Sequence, residues 1–411
     1  MKRTRISRDI HLRIIIDRLK DFFSCEVNIN EDVEKINPID ILSFKLKHNK
    51  EDYDINFIRK DIGKSKDKQI YNQIIESIND NCDSNLFKDY DDNFFKSFIA
   101  NRLKSINNTP TKILFAIDYF DKLRTTSFEG QYFSTAMILT SKATIEKYKD
   151  IYSEYGDETL VGINKYISLY DKIDRRFWYL IDGRNSFYVC NEFLKISRVL
   201  TLDDSKGRSF INNHMLSDNL QKDDILFRIN NEKEFSVISD KQEFTYIENK
   251  WKYRNYNYIE TIFKEHTTLD RNCITSLLFF IFYCSRNSIS SILWIPNDLS
   301  VIESKSSSKD ILKSKNLFFS ASSQAKIKIN NKKYSSTIMR IISSDGVTIF
   351  DNDGILRYYG CVVNIDKAKI NGVVGTGETA TKILATHGLA IKISQDSTIK
   401  VYLDENNKIE I

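Results

Sequence analysis

The stretch SSDGVTIFDNDGILRYYGCVV, Ser343 to Val363, decides how the last third of this chain folds. Two alternating apolar runs, Val347 to Phe350 and Ile355 to Tyr359, flank Asp351-Asn352-Asp353-Gly354. Asn and Asp tolerate positive φ and glycine adopts it freely, so the pattern predicts a β-hairpin. Upstream, TIMRII reads as a further strand, SSILWIP (Ser290 to Pro296) as a buried strand, and residues 270 to about 285 as a helix. Downstream lies GVVGTGETATKILATHG, Gly372 to Gly388, a glycine-lined bend followed by a helical run. After it, GLAIKISQDSTIKVYLDENNKIEI reads as strands joined by polar turns. The order helix, strand, loop, hairpin, helix, strands predicts an α/β fold, a C-terminal mixed β-sheet flanked by helices.

The rest of the chain divides into two further expected segments. Residues 1–110 are expected to be mostly helical: HLRIIIDRLKDFF puts Leu12, Ile15, Ile16, Leu19 and Phe22 on one face, and KQIYNQIIESI and NFFKSFIANRLKSI repeat that period. NNTPT ends this segment with a turn. Residues 111–265 are expected to be mixed α/β. There KILFAIDYF and FSTAMILTS read as strands, RFWYLIDGRNSFYVCNEFLKISRVLTL as a strand, an Asp-Gly-Arg turn and then a strand or helix, and DDILFRINNEKEFSVIS as a hairpin. Residues 266–411 form the last segment.

A chain of 411 residues, 41% hydrophobic and 28% charged, has enough apolar material for two or three cores. With 61 basic and 56 acidic residues the net charge is only +5, which does not indicate a nucleic-acid partner. The six cysteines show no CxxC spacing, so a disulfide framework or structural zinc site is not expected and a cytoplasmic location is. The most apolar run, Cys273 to Cys284, is too short to span a bilayer and reads as a core helix.

Two places can carry chemistry. In the bend, Gly375, Thr376 and Gly377 permit close backbone approach, Thr376 or Thr379 can cap the helix, and Gly388 suits the position after its end. Free N–H groups at such an N-terminus attract an anion, and Lys382, one turn in, can reach it; Glu378 competes for the same positive end. The second place is Asp345, at a strand start before Gly346. A carboxylate there can hold Mg²⁺ while substrate phosphates complete the shell. Each place alone also reads as an ordinary turn, and His387 reads as a helix-end or core residue.

The order of four elements resembles the diadenylate cyclase domain family: Asp345-Gly346-Val347, then Gly360-Cys361, then Gly375 to Ala380, then Ser394-Gln395. The resemblance covers residues from about 270 to the end. It implies that Asp345 is the catalytic and metal-binding carboxylate, with Mg²⁺ or Mn²⁺ as cofactor. It also implies that Gly346, Val347, Gly360, Cys361, Gly375, Thr376, Gly377, Glu378, Thr379, Lys382, Ser394 and Gln395 surround a nucleotide, ATP or another NTP. The implied reaction condenses two nucleotides into a cyclic dinucleotide, in a homo-oligomer whose domains face each other, with the N-terminal region as sensor. Where the family has Arg-His-Arg, this chain has Gly377, Glu378 and Thr379. A nucleotide-binding or cyclic-dinucleotide-binding sensor without turnover is the alternative.

Overall fold

The computed structural model describes residues 10–29, 40–48, 51–59, 68–81, 92–141, 159–201, 217, 220–230, 233–247, 249–305, 327–364, 375–395 and 398–411. The Ser/Lys run after Lys305, the KNLFFSASS segment (315–323) and residues 372–374 lie outside them. The protein is α/β. It divides into two units, Met1–Tyr256 and Asn257–Ile411, so the expected break near residue 110 falls inside the first unit.

The first unit begins with α1 (Ile10–Phe23), β1 (Glu26–Ile29), β2 (Ile41–His48), β3 (Glu51–Ile58), α2 (Lys68–Asn81), α3 (Asp92–Arg102) and α4 (Pro110–Leu123). It continues with β4 (Thr135–Leu139), β5 (Thr159–Ser168), α5 (Arg175–Tyr179), β6 (Ser186–Cys190), β7 (Lys195–Thr201), β8 (Ile225–Ile229), β9 (Phe235–Ser239), β10 (Gln242–Ile247) and β11 (Lys250–Asn255). Leu12, Ile15, Leu19 and Phe22 are buried as the helical period requires. The mostly helical expectation for residues 1–110 needs correction, because β1-β3-β2 form an antiparallel sheet. The other strands form an eight-stranded sheet, β11-β10-β9-β8-β4-β6-β7-β5.

KILFAIDYF is helix, not strand. Pro110 occupies the first turn of α4, and Ile113, Ala116, Ile117, Phe120 and Leu123 are its buried positions, at helical spacing. RFWY is likewise α5, with Asp174 Oδ1 accepting from the Arg176 N–H at 2.8 Å. The turn after it forms as expected: Asp182 Oδ1 accepts from the N–H groups of Arg184, Asn185 and Ser186.

The second unit contains α6 (Tyr256–His266, which starts at the boundary), α7 (Arg271–Arg286), β12 (Ser291–Pro296), α8 (Ile302–Lys305), α9 (Ser335–Ile342), β13 (Val347–Phe350), β14 (Leu356–Cys361), α10 (Thr376–Ala385), β15 (Gly388–Ile393), β16 (Ile399–Tyr402) and β17 (Lys408–Glu410). Its sheet runs β14-β13-β12-β15-β16-β17, with β12 and β13 parallel and the other pairs antiparallel. The hairpin at Asp351–Gly354 forms: Gly354 has φ +76, and Asp351 Oδ1 accepts from the N–H groups of Asp353 and Ile355. TIMRII is α9 rather than strand. Ile338, Met339, Ile341 and Ile342 are its buried face, and the Ser291 hydroxyl donates to the Ile342 carbonyl at 2.7 Å.

Side-chain alternation then assigns the two sheet faces. Ser291 and Thr348 donate to carbonyls of α9. Trp294, Val347, Ile349, Cys361, Ala390 and Tyr402 pack on the other face with Ala380, Leu384 and Ala385 of α10. Gly388 is not a helix-terminal residue. It opens β15, where a Cβ would sit 2.2 Å from the Ile295 carbonyl oxygen.

Candidate functional site

Strand direction brings the four sequence motifs to one end of the second sheet. Val347 lies opposite Ile292, near the start of β12, and opposite Cys361 at the end of β14. β15 runs the other way, so Ile393 at its end lies opposite Ser291. Asp345-Gly346, Gly360-Cys361 and Ser394-Gln395 therefore share this end. The first turn of α10 stands over it, since a Cβ on Gly377 would lie 3.7 Å from Ile292 Cδ1 and 3.1 Å from Lys392 Cε. With strands about 4.8 Å apart, β13 and β15 are separated by about 10 Å.

Asp345 is exposed, and its Oδ1 accepts from the Gly346 N–H at 2.9 Å. Gly346 has φ +90, and a Cβ there would meet the Gly360 carbonyl carbon at 2.7 Å. The two glycines thus allow the Asp345 turn to lie against β14, where Gly360 itself has φ +64. Gly375 is the N-cap of α10, and among the described residues no side chain caps that helix. Thr379 N–H donates to the Gly375 carbonyl at 3.0 Å, which leaves the earlier first-turn N–H groups as helix-terminal donors. Gly375 and Thr376 are exposed.

Several expected site residues have other work. Val347 and Cys361 are core, and burial pushes the Cys361 thiol up to about 11, so it stays protonated at neutral pH. Thr379 is buried and caps nothing. Lys382 is in the last turn of α10, six residues beyond Thr376 and so about 9 Å along the axis. His387 is at the opposite end of the helix, with its carbonyl accepting from the Asn297 N–H. Burial, with the Lys305 charge, lowers its pKa.

Glu378 is paired with side chains of β16 and β17. Its carboxylate accepts from the Tyr402 hydroxyl at 2.5 Å and from Lys400 Nζ at 3.1 Å, with Lys408 Nζ at 3.8 Å. Burial alone would raise its pKa, but these hydrogen bonds and lysine charges outweigh it and hold the carboxyl below its ordinary value.

The residues that sequence reading missed are Lys392 and Lys400. They are register partners on the face covered by α10. The alternation in LAIKIS and TIKVY marks one lysine in each strand, but only the pairing places them together. Among the described residues no group of three or more His, Cys, Asp and Glu side chains is gathered as a metal site, and no helix is long and apolar enough to cross a membrane. No family model and no curated protein matches the chain.

Proposed function

We propose that the second unit is a nucleotide site of the diadenylate cyclase type, condensing two ATP or other NTP molecules into a cyclic dinucleotide under control of the first unit. The observation that carries the reading is that Asp345 and the N-terminus of α10, uncapped among the described residues, lie at the same end of the sheet. The Glu378 carboxylate, the main electrostatic objection to phosphate, is tied to Tyr402 and Lys400.

In the reaction a ribose 3′-hydroxyl attacks the α-phosphorus of the second nucleotide, the bond to pyrophosphate breaks, and the step is repeated to close the ring. First-turn N–H groups of α10 hold phosphate oxygens, and the Gly346–Gly360 contact fixes the turn that carries Asp345. Rate comes from alignment and from charge neutralisation. The donor set fits Mg²⁺ or Mn²⁺. Asp345 Oδ1 takes the Gly346 N–H, its remaining oxygen is available to a hard cation, and phosphate oxygens and water suit the other positions. Such a cation, when bound, neutralises phosphate charge. Two facing copies of the unit hold the two nucleotides, so a homo-oligomer follows from this reading, and NTP substrates fit a cytoplasmic location.

A second reading, a nucleotide or cyclic-dinucleotide sensor without turnover, is favoured by one feature. Gly375 to Thr379 carries no cationic side chain. Incubating the full chain with each radiolabelled NTP and Mg²⁺ or Mn²⁺ separates the two. A phosphatase-resistant product that disappears in Asp345→Asn supports the enzyme. Calorimetric binding without product supports the sensor. Neither signal from folded protein refutes both.

A further inference from the structure

We propose that Lys392 and Lys400 bind the phosphates of the ligand, and that Glu378 is the intramolecular anion that a phosphate displaces from Lys400. The inference rests on the nucleotide reading above and names the side chains that supply its positive charge.

The two lysines stand directly opposite each other on neighbouring strands. Side chains so paired have Cβ atoms about 5 Å apart, and like charges there are destabilising unless an anion lies between or beside them. Both side chains are half-buried, which reduces screening by water. An anion is already held at this place. The Glu378 carboxylate, in the first turn of α10, is bound by Lys400, Tyr402 and Lys408. A second carboxylate on this face is Glu410, the register partner of Lys400 on β17. Among the described residues of this corner, Lys392, Lys400 and Lys408 outnumber Glu378 and Glu410 by one.

Lys392 reaches the same turn from beneath. Its Cε would lie 3.1 Å and its Nζ 3.5 Å from a Cβ on Gly377, so the missing side chain at 377 is what lets the lysine pass under the helix. Its Nζ donates to Ser290 Oγ at 2.6 Å and to the Ile393 carbonyl at 3.0 Å. Ser290 immediately precedes β12 and Ile393 ends β15, so the ammonium is at the end of the sheet where Asp345 lies. An ammonium is a compact charge with three donors and can exchange such partners for phosphate oxygens without a fixed plane. A phosphate chain offers more charge and more acceptor oxygens than the single carboxylate of Glu378. It is the ligand chemistry that two lysines and a helix N-terminus match together.

The test is calorimetric titration of the full chain with inorganic tripolyphosphate and, separately, ATP, each with Mg²⁺. Lys392→Gln and Lys400→Gln should each weaken both by about tenfold or more, the size of one charge-assisted hydrogen bond. Glu378→Gln should tighten both several-fold, a change that loss of fold cannot produce. ATP binding unaltered by either lysine change, or weakened by Glu378→Gln as much as by the lysine changes, overturns the inference while the nucleotide reading stands. Lysine-dependent tripolyphosphate binding with no nucleotide bound overturns that reading and leaves the lysine site. A wild-type chain that binds neither overturns both.

Discussion

Replacing Gly346 by alanine should loosen the β13–β14 hairpin and with it the turn that carries Asp345. The added Cβ meets three backbone atoms: the Gly360 carbonyl carbon at 2.7 Å, Gly360 Cα at 2.9 Å and Cys361 N at 3.0 Å. No side-chain rotation relieves a clash with backbone. Residue 346 also has φ +90, which costs an L-residue about 1–2 kcal/mol. Overpacking adds about 1–3 kcal/mol. The sum, about 2–5 kcal/mol, corresponds to at least about thirtyfold faster opening of the hairpin. Amide hydrogen exchange read by mass spectrometry on peptides from residues 347–361 measures this locally, which suits a chain of two units where one global midpoint is ill-defined. Strand β12 and its partner β15 meet along a separate ladder and should change less. Exchange in β13 and β14 within threefold of wild type would refute the close-approach argument. So would a Gly346→Ala chain that slows exchange there.

Gly377→Ala should behave in the opposite way. Its new Cβ meets only the flexible Lys392 stem at 3.1 Å, and alanine favours the helix over glycine by up to about 1 kcal/mol, so exchange in α10 should stay equal or slow while tripolyphosphate affinity falls. The Glu378 pair predicts a pH window. Because the folded carboxyl pKa is depressed, its stabilisation is complete above the unfolded value near 4.5 and is lost as pH falls through the folded value. Melting curves of wild type and Glu378→Gln should therefore differ at pH 7 and converge as the pH falls through that depressed folded value. Cys361 should resist iodoacetamide at pH 8 in the folded protein, with peptide mapping as readout, because its thiol is buried and its pKa is pushed up to about 11.

Much of the second unit was legible because its signals are local. The Asp351–Gly354 turn, α7 behind its Asp270 cap and the buried strand β12 each depend on turn chemistry or periodicity within a dozen residues. Short apolar runs were misread where strand and helix look alike. KILFAIDYF became α4 because Pro110 and the 113, 116, 117, 120 spacing favour a helix packed on one side, and TIMRII became α9 for the same reason. Of the candidate site, the sequence supplied Asp345, the glycine-lined bend at Gly375 and the order of the motifs, while the absence of a threonine cap came from the structure. Only the tertiary structure decided the charge. Glu378 turns toward β16 and β17 because Tyr402, Lys400 and Lys408 are there to receive it, and Lys392 meets Lys400 because the β15–β16 register pairs them. A one-residue slip in that ladder would send one lysine to the opposite face of the sheet. Register is set by the whole packed sheet, which no single stretch of chain contains.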